Sequence, residues 1–235
     1  MKVLIFDVDD TLYSQIIPFE KAYRKLFGKV DIDIEKLYEL SRKYSDEKFE
    51  DSRSGKMSMD DYHVYRFSKA LEHFSKNIDY ATALQFQKLY AENQKSIQVS
   101  KELQNFLDFA VRENMKLAVI TNGPSIHQWN KVRVLNLEKW FSKEKIFVSY
   151  DVGFNKPDRR IFAHVADKLS LKENDEVYYV GDSFENDIVG ATNYGWRAIW
   201  LNRRKKNPVK KVANYIEVNN DKQLIKLLYK IIKTN

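Results

Sequence analysis

Asp7 and Asp9 stand two residues apart, directly after the apolar run Val3, Leu4, Ile5, Phe6. Such a run reads as a fully buried parallel strand, and open α/β sheets place their ligand sites at the carboxyl ends of strands. Acidic pairs also serve as turn and helix-cap residues, so the pair alone leaves its role open. Three later segments offer partners. Thr121 ends the run Leu117 to Thr121 and is followed by Asn122 and Gly123. There a hydroxyl and free backbone N–H groups meet a helix start, which makes either an ordinary cap or an anion site. Lys156 precedes Pro157 in a loop leading to a helix, and is either a solvated lysine or the cation that neutralises a transferring phosphoryl group. Asp182 closes Val177 to Gly181, and Asp187 follows five residues on, so two carboxylates could face one hard cation, magnesium above all.

Convergence of these groups has an energetic consequence. Two carboxylates about 4 Å apart repel by about 4 kcal/mol at an effective dielectric near 20. If Asp7, Asp9, Asp182 and Asp187 gather, a divalent cation and the Lys156 ammonium supply the compensation. Convergence therefore predicts a metal site.

The elements that must position these residues can be read from periodicity. From Pro18 to about Gln94 the pattern is helical, with stripes such as Phe19, Ala22, Tyr23, Leu26, Phe27 and Phe67, Ala70, Leu71, Phe74. Asp31, Asp33, Asp46, Asp51, Gly55 and Asp79 punctuate it into about four helices. Beyond it, short strands at Leu117 to Thr121, Ile146 to Ser149, Val177 to Val180 and Ala198 to Trp200 alternate with helices, and the stripe Leu224, Leu227, Leu228, Ile231 closes the chain. The predicted fold class is α/β: a doubly wound parallel sheet with an inserted α-helical domain. The expected domains are a core of 1–15 and 98–235 and a helical cap of 16–97. Gly123, Gly153 and Gly181 sit beside strand ends, where backbone could need to approach a ligand closely.

Composition sets wider limits. With no cysteine among 235 residues, disulfides and thiolate metal sites are excluded. The N-terminus runs straight into a strand, and no uncharged run is long enough to span a bilayer, so a cytoplasmic chain without membrane contact is expected. The net charge of +7 fits either nucleic acid or small phosphorylated anions. Its densest cluster, Arg203, Arg204, Lys205, Lys206, Lys210 and Lys211, lacks interleaved aromatics and reads as a solvated loop, so no nucleic-acid polymer is expected. The four histidines form no ligand pair, and no serine or cysteine nucleophile motif is present.

FDVDDTL from Phe6, VITNG from Val119, NKPD from Asn155 and GDSFENDI from Gly181 resemble, in order, the four motifs of the haloacid dehalogenase superfamily. The helical stretch lies where that family inserts its cap. The resemblance implies an aspartyl-phosphate mechanism. Asp7 would be the nucleophile, Asp9 the acid and then the base, and Thr121, Asn122 and Lys156 the phosphate-binding residues. Asp7, Asp9 through its backbone carbonyl, Asp182 and Asp187 would hold Mg2+. The presence of Asp9, Asp182 and Asp187 favours phosphoryl transfer over 2-haloacid dehalogenation, and Thr11 favours a phosphatase over a phosphomutase. The inserted helices argue against a phospho-accepting signalling domain. A closer resemblance runs through ITNG, His127-Gln128, Lys131, Arg133, Leu135, Asn136-Leu137, Phe141, Val148-Ser149, Val152-Gly153 and KPDRRIF. It is similar to the house-cleaning pyrimidine 5′-nucleotidases and the acylneuraminate 9-phosphatases. The expected partner is a small phosphorylated metabolite, a nucleoside monophosphate or sugar phosphate, met by a monomer or homodimer. Substrate choice is expected to lie in the cap; Tyr13 before it and Phe49, Tyr62 and Tyr65 within it are read either as core or as base-stacking residues.

Overall fold

The computed structural model describes residues 1–234, apart from the side chain of Arg53. The chain divides into two compact units, Met1–Ser14 with Gln98–Asn235, and Gln15–Ile97.

The first unit is built on a six-stranded sheet: β1 (Lys2–Phe6), β2 (Lys116–Thr121), β3 (Ile146–Val148), β4 (Glu176–Gly181), β5 (Arg197–Leu201) and β6 (Tyr215–Val218). The strand order is β3-β2-β1-β4-β5-β6 and every pairing is parallel. β1 therefore lies at the centre, with Phe6 in register with Val119 of β2 and Val180 of β4. From β1 the chain winds out to β3 and then restarts at β4 on the other side. The resulting switch point beside β1 is where open sheets leave a ligand crevice. Helices cover both faces, as they must when strands such as Val3 to Phe6 are apolar on both sides.

On one face, Val3, Ile5, Ile120 and Tyr179 pack against Ile161, Phe162 and Val165 of a helix spanning Arg159–Lys168, and against Ile188 and Ala191. A second helix, Lys101–Arg112, meets the last one, Asp221–Lys233, through the edge-on pair Phe106 and Tyr229. Two features depart from expectation. β6 has only its last residue buried, so it carries no apolar run to betray it in the sequence. The segment after Asp182 begins as a π-helix, Phe184–Val189, before continuing as the short helix Gly190–Tyr194.

The second unit comprises α1 (Ile16–Phe27), α2 (Ile34–Arg53), α3 (Met59–Glu72) and α4 (Tyr80–Asn93). The polar residues between stripes act as caps: Asp33 accepts from Lys36 N at 3.0 Å, Ser58 from Asp61 N at 3.0 Å and Asp79 from Thr82 N at 2.8 Å. Aromatic rings fill its core. Phe19 meets Tyr38, Phe67, Phe86 and Tyr90 edge-on, and Phe67 stacks on Phe86. Of the four aromatics considered for stacking on a base, Tyr13 and Tyr62 are buried.

Candidate active site

The sheet delivers the motif residues from its three central strands. Asp7 follows β1 and extends its ladder, donating its N–H to Val180 O at 2.8 Å; Thr121 ends β2; Asp182 follows β4. Lys156 comes from the loop before Arg159–Lys168, and Asp187 from the π-helix.

Lys156 links two of the acids. Its ammonium, 2% exposed, donates to Asp7 Oδ1 at 2.7 Å, Asp187 Oδ1 at 2.7 Å, Tyr179 OH at 2.9 Å and Ile120 O at 3.1 Å. Burial works against this cation, yet Asp187 and Asp7 outweigh it and hold the group protonated, well above lysine's ordinary range. The Asn122 side chain fixes the Lys156 backbone in both directions, accepting from Lys156 N at 2.9 Å and donating to Lys156 O at 2.9 Å. With its side chain holding the Lys156 backbone, Asn122 offers an anion its backbone N–H.

Asp7, Asp182 and Asp187 each bring one carboxylate oxygen within 4.8 Å of the others. The acidity is under strain. Burial, with Asp187 and Asp9 adding repulsion against the pull of Lys156, raises Asp7 to about 7. Burial followed by repulsion from Asp10, Asp187 and Asp7 puts Asp182 well above the usual carboxylate range. Asp187 accepts from Lys156 at 2.7 Å and from Tyr179 OH at 3.2 Å on one oxygen and from Ser183 N at 3.0 Å on the other, which keeps a lone pair for a cation. Gly181 leaves the room this carboxylate occupies, and a Cβ there would collide with it. Gly123 similarly makes way for Gln128, so at both positions the close neighbour is a side chain of the site.

The Asp9 carboxylate stands outside the three-acid group. Lys131 Nζ donates to both of its oxygens at 2.6 Å, Tyr13 OH to Oδ1 at 2.6 Å and Gln128 Nε2 to Oδ2 at 3.2 Å. Burial works to raise this carboxyl, but Lys131, Tyr13 and Gln128 together hold it below its ordinary value. Thr121, fully buried, donates to Gln128 Oε1 at 3.1 Å. The structure thus brings together Asp7, Lys156, Asp182 and Asp187, and joins Asp9 to Thr121 through Gln128.

The sequence assigns no role to Lys131, Gln128 or Tyr179, and reads Tyr13 as core or base-stacking rather than as a partner of Asp9. The available signal was the one-turn spacing of Gln128 and Lys131 behind Thr121. The solvated-loop expectation for the basic cluster needs correction at its front end. Arg203 donates to Asp10 O, to Thr11 O at 3.4 Å and to Asp221 Oδ1 at 2.5 Å, while Arg204 pairs with buried Asp10 at 3.3 Å. Those two arginines are half-buried because the turn after Asp9 presents inward carbonyls and a carboxylate that need donors. Lys205 to Lys211 are exposed, as a solvated loop would be. Arg203→Ala is accordingly expected to lower stability by about 1–3 kcal/mol, and Lys210→Ala to leave it unchanged. Urea unfolding of the two variants checks this, and equal effects would contradict the role given to Arg203.

The sequence profile of the haloacid dehalogenase-like hydrolases matches residues 1–195. This chain belongs to that family. YfnB of Bacillus subtilis (strain 168), a HAD-hydrolase by name, is 28% identical to the hydrolase over 232 residues, which cover 97% of this chain and 95% of YfnB. The structure of YfnB, described as bound to magnesium, matches with a TM-score of 0.68 at 25% identity over 99% of both chains. A glyceraldehyde 3-phosphate phosphatase of Methanothermobacter thermautotrophicus is 31% identical over 208 residues, 86% of each chain. The pyrimidine 5′-nucleotidase YjjG of Escherichia coli (strain K12) is 31% identical over 121 residues, 52% of this hydrolase and 53% of YjjG. No helix among the described residues is long and apolar enough to cross a membrane.

Proposed function

We propose that this hydrolase is a magnesium-dependent phosphatase of small phosphorylated metabolites that works through an aspartyl phosphate on Asp7. The assignment rests above all on one observation: three buried or half-buried carboxylates within 4.8 Å of one another, with the Lys156 ammonium among them, at the carboxyl ends of the central strands.

The donor set fits magnesium. It is all oxygen and all acidic, and the raised Asp7 and Asp182 mark a charge excess that Lys156 alone does not relieve. Asp7, Asp182 and Asp187 would hold the ion, with the Asp9 backbone carbonyl taken from the family resemblance. Bound there, magnesium stabilises negative charge on the transferring phosphoryl group.

The chain's own residues carry the rest. An Asp7 oxygen attacks phosphorus while Asp9, held ionised in the free chain by Lys131, Tyr13 and Gln128 and so protonated only on binding the phosphoryl anion, gives that proton to the departing oxygen; Asp9 then takes a proton from the water that hydrolyses the aspartyl phosphate. Thr121, turning its hydroxyl from Gln128 Oε1, and the Asn122 backbone N–H bind phosphoryl oxygens ahead of the next helix, the Gly123 N–H being given to Ser149 Oγ at 3.1 Å. Lys156, locked in place by Asn122, offsets the charge that gathers at Asp7 and the phosphoryl group.

Two substrate classes have support. The motif-two and motif-three segments resemble pyrimidine 5′-nucleotidases, and a relative matched over 86% of this chain is named for glyceraldehyde 3-phosphate. Phosphate release from p-nitrophenyl phosphate, then from a panel of nucleoside monophosphates and sugar phosphates, tests the proposal. Turnover should need magnesium and stop in EDTA. Equal turnover in EDTA, with halide released from 2-haloacids, would overturn it.

Metal linkage gives a further expectation. The Asp7 carboxyl, ordinarily titrating near 3.8, takes up its proton at about 7 in the folded chain. A raised carboxyl binds its proton more tightly in the folded state, so the metal-free protein loses stability as pH rises from about 4 to about 7. Magnesium binds the ionised form. The gain in Tm from magnesium should therefore grow from about pH 5 to about pH 8; an equal gain at both would contradict the metal site.

A further inference from the structure

Asp9 lies past the end of β1, in a segment whose only strand-like pairing is an isolated bridge to Tyr13. The two side-chain torsions of a carboxylate on such a segment are set by whatever binds it. The helix Ser125–Val134 supplies the binders. Gln128 and Lys131 are three residues apart on it and so share one face.

Their contacts are specific. Lys131 reaches both Asp9 oxygens at 2.6 Å, and among the described residues Asp9 is its only ion-pair partner. The pair is mostly withdrawn from water, with the two side chains 15% and 22% exposed. Gln128 is buried, and its NH2 group faces two acceptors, Asp9 Oδ2 at 3.2 Å and Asn122 O at 3.0 Å. That fixes the sense of the amide and leaves its oxygen to accept from Thr121 at 3.1 Å. Gly123 completes the arrangement. It has φ +145, and a Cβ there would lie 2.6 Å from Gln128 Nε2, so the amide reaches this place only beside glycine.

We propose that Gln128 and Lys131 are positioning residues that aim the Asp9 carboxylate and tie its placement to that of Thr121, so that the proton-transfer group and the phosphate-binding hydroxyl are set by one helix. This rests on the phosphatase reading, in which Asp9 moves the proton. A lysine that merely stabilised the fold would act equally on all substrates. A lysine acting through Asp9 matters most where the leaving oxygen needs a proton.

The test compares kcat and KM on p-nitrophenyl phosphate, whose leaving group departs with little help, and on the best alkyl phosphate from the panel. Lys131→Met should lower kcat on the alkyl phosphate by about 10- to 100-fold, with KM within about twofold and a smaller loss on p-nitrophenyl phosphate. Lys131→Arg, whose fork can also meet both oxygens, should recover much of the loss. In an Asp9→Asn background, Lys131→Met should cost nothing more on p-nitrophenyl phosphate, because the group it aims is gone. A raised KM at unchanged kcat, equal losses on both substrates, or an additive loss in the Asp9→Asn background would overturn the proposal. Gln128→Met carries the same comparisons should Lys131→Met fail to fold. If instead Asp9→Asn itself retains wild-type turnover, the acid–base reading of Asp9 fails, and that result is distinct from an inert Lys131→Met beside a crippled Asp9→Asn.

Discussion

Asp7→Asn is expected to reduce phosphatase turnover by about 10⁴-fold or more while the protein stays folded. An amide does not accept a phosphoryl group, so the substitution removes the chemical step itself. It should not remove stability. Burial and the neighbouring acids already raise the Asp7 carboxyl to about 7, and a neutral amide at that point relieves repulsion from Asp187 and Asp9. Its oxygen can still accept from Lys156, 2.7 Å from Asp7 Oδ1 in the native chain. Steady-state kinetics with thermal unfolding on the same preparation checks both halves. Activity near wild type would sink the nucleophile assignment, and a collapse of Tm would mean that Asp7 serves the fold.

Lys156→Met is expected to damage activity and stability together. The ammonium is 2% exposed and bridges Asp7 to Asp187, each at 2.7 Å. Methionine keeps the length of the stem but leaves two buried carboxylates facing each other without a cation. Removing one member of a buried ion pair costs about 3–5 kcal/mol, because the remaining charge has lost both water and partner. Turnover should fall by about 10³-fold, as the phosphoryl group also loses its counter-charge. Saturating magnesium should return part of the stability, since it replaces some of the missing positive charge, but not the activity. Urea unfolding with and without magnesium tests this. An unfolding free energy within about 1 kcal/mol of wild type would show that Lys156 is dispensable to the cluster.

The different fates of the two groups of site residues show what a sequence makes legible. Asp7, Thr121 and Asp182 could be placed because each follows an apolar run, and a run buried on both faces is a strong strand signal. Strand ends in a doubly wound sheet then converge by topology, with no need to foresee any particular contact. Lys156 and Asp187 are candidates from loop position and acidic spacing alone, but only the motifs favour a site role over a solvated one, since a loop lysine and a helical aspartate have no periodicity of their own. Lys131, Gln128 and Tyr13 were invisible as Asp9 partners because their contacts depend on the turn between Asp7 and Tyr13, where side-chain direction follows no repeat. Arg203 and Arg204 were misread with the exposed lysines that follow them. Charge density along the chain says nothing about which members of a cluster meet inward-facing carbonyls, and here the first two do. β6 escaped for a related reason, because an edge strand with one fully buried residue lacks the apolar run that marked the others.

Acid quenching during turnover of p-nitrophenyl phosphate with magnesium, followed by borohydride reduction and peptide mass spectrometry, addresses the central claim most directly. An acyl phosphate survives acid and is reduced by borohydride, so the carboxylate that carried the phosphoryl group is marked. The account predicts that the mark falls on Asp7 alone, depends on magnesium and vanishes in Asp7→Asn. A mark on another residue, or none at Asp7 while phosphate is being released, would contradict it.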